Sequence, residues 1–158
     1  MDGSLPVLAL YFAAKGAAYC GWCGLGARLF RPAATSVLGL ALGLGALRLL
    51  LGLLFGVGIF LGATFAVAGL DEAGASPTLA MGLAYLGVYV PVRWIEWGLI
   101  ELLLRPAART QAGFLRAFLG SVDRPGRAWR AGGIAISCLA DVPLMLAAGG
   151  LPIGRFMC

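Results

Sequence analysis

Residues 49–70 read Leu-Leu-Leu-Gly-Leu-Leu-Phe-Gly-Val-Gly-Ile-Phe-Leu-Gly-Ala-Thr-Phe-Ala-Val-Ala-Gly-Leu, 22 residues without one ionisable side chain. At 1.5 Å per residue such a helix covers roughly 33 Å, about the hydrocarbon thickness of a bilayer. Lipid is therefore the expected solvent. Reading outward, similar apolar stretches run over about 5–30, 78–104 and 131–152. The predicted fold is an all-α membrane protein, a four-transmembrane-helix bundle forming one integral membrane domain over residues 1–158. Composition agrees: the chain is 61% hydrophobic and 12% charged, against about one quarter charged in soluble domains.

Charge orients the bundle. Arg28, Arg31 and Arg48 bracket the first connection, and Arg105, Arg109, Arg116, Arg124, Arg127 and Arg130 populate the third. The second connection holds only Asp71 and Glu72, and the N-terminus only Asp2. The positive-inside rule then puts connections one and three in the cytoplasm and both termini outside, with a bacterial inner membrane as the expected location. Since the arginines border apolar spans, the net charge of +5 reads as a membrane orientation signal and not as a nucleic-acid surface. The first stretch lacks a basic lead-in, Asp2 being the sole charge before Pro6, so it is expected to remain as a span and not to be cleaved as a signal peptide. The chain has no histidine, which removes the commonest general base and metal ligand.

Between the third and fourth spans, residues 107–119 are amphipathic. Ala107, Ala108, Ala112, Phe114, Leu115, Phe118 and Leu119 share one half of a helical wheel, opposite Arg105, Arg109 and Arg116. Such a helix would lie at the cytoplasmic interface with its arginines on anionic headgroups.

Sliding the chain by 74 positions pairs Leu29-Phe30-Arg31-Pro32-Ala33-Ala34 with Leu103-Leu104-Arg105-Pro106-Ala107-Ala108, and Tyr11 with Tyr85. The expectation is two parallel repeats of two helices, related by an axis along the membrane normal. Convergence is the alternative, because proline is a good helix stop where arginine meets headgroups.

Five ionisable residues fall inside the expected spans: Lys15, Arg93, Glu96, Glu101 and Asp141. Each is costly in hydrocarbon unless paired or hydrated. Counted from the arginines at the borders, Arg93, Glu96 and Asp141 lie roughly 13 to 18 Å deep, so Arg93 is expected to pair with Asp141 or Glu96. Lys15 falls nearer the outside, and Glu101, one turn from Arg105, is expected to pair there. Pro91 and Pro143 interrupt the helices beside this layer, and broken helices next to midplane charges point to a transporter site. Trp94 and Trp97 adjoin it and could wall a cavity or stack on a cation.

Cys20 and Cys23 lie one helical turn apart, and Cys138 lies as far inside Arg130 as Cys23 lies inside Arg31. Three thiols at one depth would suit a soft metal such as Cu(I) or Hg(II). Early paired cysteines are also a feature of mercuric-ion transporters, but there the pair is typically adjacent, so no membership follows. The alternative is packing, since Gly16, Cys20 and Gly24 form a small-residue face, as do Gly52 and Gly56 on the next span. The stretch Leu47 to Gly62 resembles the first helix of DoxX-like small membrane proteins over about a tenth of the chain, too little to assign a family.

The leading functional reading is a non-enzymatic membrane protein that forms or assists a pathway for a small solute or ion, centred on Arg93, Glu96 and Asp141 with Lys15, Trp94 and Trp97. Four helices enclose little room, so a homo-oligomer or a membrane partner subunit is expected. Two alternatives stand beside it. One is a non-catalytic accessory subunit; the other is a redox, soft-metal or lipid-modifying protein using Cys20, Cys23 and Cys138 or Glu96 and Asp141.

Overall fold

The structure is a computed structural model that describes residues 4–105, 118–120 and 123–147. Among the described residues the regular structure is all helical: α1 (Ser4–Phe30), α2 (Val37–Glu72), α3 (Pro77–Ala84), a π-helical turn (Tyr85–Tyr89), α4 (Val90–Leu104) and α5 (Arg124–Ala147). The amphipathic segment expected at 107–119 lies almost wholly outside the described residues.

Among the described residues two helical runs are long and apolar enough to cross a membrane, α2 and the continuous stretch Pro77–Leu104. The helix starting near residue 49 in the sequence reading begins twelve residues earlier, at Val37. Ser36 starts it, its Oγ accepting from Gly39 N at 3.0 Å, and an unbroken apolar run carries it to Arg48. Arg48 is therefore not a border residue: it sits inside α2 and is fully buried. The last helix likewise starts at Arg124 and not near 131. Asp123 caps it by accepting from Gly126 N at 2.9 Å, and Pro125 fits the first turn, where no backbone N–H is needed.

The α2–α3 corner is a glycine-closed helix end. Gly74 adopts φ +81°, while Ala75 N donates to Leu70 O and Gly74 N to Asp71 O, both at 2.9 Å. The π turn precedes Pro91, which has no N–H to offer Gly87 O in an α ladder. Widening the ladder there accommodates the ring without ending the helix.

Helices α1 and α2 make the most extensive contact. A Cβ on Gly45 would meet the Cys20 backbone N and Cα at 2.9 Å, so the two backbones touch there and only glycine fits. Helix α5 docks on α1 through reciprocal bonds: Trp22 Nε1 donates to Trp129 O at 3.1 Å and Trp129 Nε1 to Trp22 O at 3.4 Å. Their rings stack at 6.4 Å. The core around them comprises Tyr19, Cys23, Ala27, Leu44, Trp97, Ile100 and Leu104.

Burial is inverted relative to a water-soluble bundle. Lys15, Arg48, Arg93, Glu96 and Arg130 are each 0% exposed, whereas Leu54 is 73% and Phe65 75% exposed. Charge lies inside and leucine outside.

Candidate functional site

The buried charges stand in three tiers along the bundle, each joining different helices. The first lies at the α4–α5 connection. Glu101 accepts from Arg130 Nε at 2.5 Å and from Arg105 Nη1 at 3.2 Å. Arg105 also grips Asp123 with both Nη atoms, at 2.8 and 2.7 Å. That fork holds the Asp123 carboxyl down at about 2, against the opposing effect of burial and with help from Gly126 N. Arg130 Nη1 donates to Phe118 O at 2.6 Å and Trp94 Nε1 to Leu119 O at 2.7 Å, which ties the end of the third connection to both helices.

The second tier is one carboxylate between two guanidinium groups. Glu96 Oε2 accepts from Arg93 Nη1 at 2.7 Å and lies 2.7 Å from Arg48 Nη2. The Arg48 approach is a charge contact only, since all three of its guanidinium nitrogens lack a hydrogen-bond acceptor among the described residues. Its guanidinium instead sits in the corner of the perpendicular Tyr19 and Trp97 rings, 4.8 and 5.0 Å from their centroids.

The third tier centres on Asp141 of α5. Its Oδ1 accepts from Lys15 Nζ at 2.5 Å and Tyr11 Oη at 2.6 Å, and its Oδ2 accepts from Tyr89 Oη at 2.6 Å. Tyr89 links the tiers, because Arg93 packs on its ring at 4.7 Å. Along α4 and the π turn, Glu101, Glu96 and Tyr89 place successive tiers about 7 to 10 Å apart.

The structure joins Arg93 to Glu96, as one of the two expected pairings had it, and gives Asp141 to Lys15 and not to Arg93. It also separates the two tryptophans: Trp97 lies against Arg48, while Trp94 stands over Arg130 in the first tier, 5.3 Å away. Glu101 pairs with Arg105 as expected and also with Arg130, which is buried within α5 instead of facing the loop. Sequence reasoning missed Arg48, Tyr11, Tyr19 and Tyr89. Tyr11-Lys15-Tyr19 and Tyr85-Tyr89-Arg93 each recur at four-residue spacing, a polar stripe that the search for charges alone passed over.

The three cysteines do not converge. Cys23 is buried in the aromatic core, Cys20 lies against Gly45, and Cys138 packs against the cluster of Ile59, Ala63, Ala84 and Tyr89 and accepts from Tyr85 Oη at 3.0 Å. Among the described residues no group of three histidine, cysteine or acidic side chains could hold a metal ion.

Comparisons with protein families, with characterised proteins and with solved structures find no match to this chain.

Proposed function

We propose that the protein is a four-span bundle in a bilayer whose tiers of buried charge form or assist a pathway for a small solute or ion. The observation that carries this reading is the continuity of the tiers. Polar groups contributed by α1, α2, α4 and α5 follow one another from the Asp123 end of the bundle to Tyr11. An unpaired arginine at mid-bilayer costs at least about 2.5 kcal/mol even on the lenient scale, so intramembrane charge is commonly retained for function. The apolar exterior and charged interior support the bilayer placement. Arginines at both the α1–α2 and α4–α5 connections support cytoplasmic placement of that end. The expected repeat gains support from positions 74 apart: Tyr11 and Tyr85, Lys15 and Tyr89, and Tyr19 and Arg93 all lie along the polar stripes.

Flux from proteoliposomes tests the reading, using ion-selective electrodes for a panel of small ions and the Asp141→Asn variant as the paired control. Flux above empty liposomes that the variant reduces supports a pathway. No flux for any ion or solute in the panel would leave the accessory-subunit reading. That second reading draws on one observation, the exposed face of α2 with Leu50, Leu54, Val57 and Leu61 beside Gly58, where an added Cβ would meet nothing within 4 Å.

A further inference from the structure

The two inner tiers do not balance. Lys15, Arg48 and Arg93 bring three positive charges and Glu96 and Asp141 two negative ones, all buried. Lys15 and Asp141 neutralise each other, so the surplus falls on Glu96, where two arginines crowd one oxygen. The same place collects polar atoms without hydrogen-bond partners among the described residues: Arg48 Nε, Nη1 and Nη2, Arg93 Nε and Nη2, and Tyr19 Oη, against a single carboxylate oxygen, Glu96 Oε1. Buried groups of this kind are ordinarily satisfied, and an unpaired buried charge is among the costliest features a fold can carry. Both arginines are 0% exposed, so bulk water does not compensate them.

From this surplus of charge and donors we infer that the Arg48–Arg93–Tyr19 cluster is a binding site for a small monovalent anion. Resting on the pathway reading, the inference narrows its cargo to anions. One negative charge would neutralise the cluster, and the guanidinium N–H groups with the Tyr19 hydroxyl would supply its hydrogen bonds, the geometry that suits halides and small planar oxyanions such as nitrate or formate. Glu96 competes for the same donors and holds the affinity down, so that an ion can enter and leave.

The test is anion-dependent thermal stability and isothermal titration on the purified full chain in detergent, with sodium nitrate, formate and chloride against sodium gluconate at constant ionic strength. The wild type should show a saturable stabilisation by the small anions that gluconate does not give. Glu96→Gln, which removes the competitor, should bind them at least about tenfold more tightly. Arg48→Gln and Arg93→Gln each leave one arginine for one carboxylate, so both should fold and both should lose the response. Absence of a saturable response in the wild type, or its survival undiminished in both arginine variants, overturns the site. Saturable binding without anion flux in liposomes would sink the pathway and leave the anion site standing. Flux of another solute without anion binding would do the reverse.

Discussion

Lys15 and Asp141 are 126 positions apart in the chain and meet inside the bundle with Nζ and Oδ1 2.5 Å apart. With the Trp22–Trp129 bonds this pair ties the first helix to the last, and losing one partner would strand a buried charge. Asp141→Asn should therefore destabilise the protein by about 3 kcal/mol in detergent unfolding, the usual cost of breaking a buried pair. Adding Lys15→Gln should restore more than half of the loss. Arg93→Gln added to Asp141→Asn should recover far less, because Arg93 pairs with Glu96 and meets Asp141 only through Tyr89. A recovery with Arg93 and none with Lys15 would reverse the assignment.

At Gly45 the limit is backbone against backbone, so Gly45→Ala should force α1 and α2 apart and lower stability by about 2 kcal/mol, in the range of core overpacking. Gly58→Ala meets nothing within 4 Å and should leave the melting temperature of the purified protein unchanged. Equal effects at the two positions would mean that the α1–α2 crossing is not where the glycine is required.

Asp123 titrates low because Arg105 grips its ionised form. A carboxyl whose folded value, about 2, lies below its ordinary value of 3.8 gives stability that is complete above the unfolded value and lost as pH falls through the folded one. The tie between Arg105 and Asp123 should therefore weaken between about pH 4 and pH 2. Asp123→Asn keeps a good cap for α5 but should flatten that part of the melting profile. An unaltered profile in the variant would assign the acid transition elsewhere.

Cysteine labelling in intact cells, on a background without the native cysteines, should reach Ala73→Cys at the α2–α3 corner but not Ala33→Cys between α1 and α2. The reverse pattern would invert the orientation.

The apolar run at 49–70 and the Arg-Pro punctuation after Phe30 and Leu104 made two helix ends and the C-terminal part of α2 legible in the sequence. The failures share one cause. Arginine in a sequence marks a membrane border, so Arg48 and Arg130 read as the ends of α2 and α5, although aromatic rings and carboxylates make both positions habitable in the bundle interior. The same error misplaced Asp141. Measured from the true start of α5 at Arg124, its depth matches that of Lys15 from Arg31 to within one residue, which is the depth match that the pairing requires. Which residues share a tier depends on helix rotation, and hydropathy carries no information about rotation.

The π turn at Tyr85–Tyr89 makes Pro77–Leu104 a rod with a phase slip. One extra residue in a turn is equivalent to an insertion that the helix has absorbed, so the faces on either side are offset by about 100° from an uninterrupted helix. Deleting Gly87 would cancel the slip without removing any side chain that bonds in the tiers. The segment before it would then swing by that angle relative to Arg93 and Glu96, carrying Ala80 and Ala84 off the face they bury. Ala80 and Ala84 before the slip and Glu96 and Trp97 after it are all buried, so one rod turns two helical frames inward.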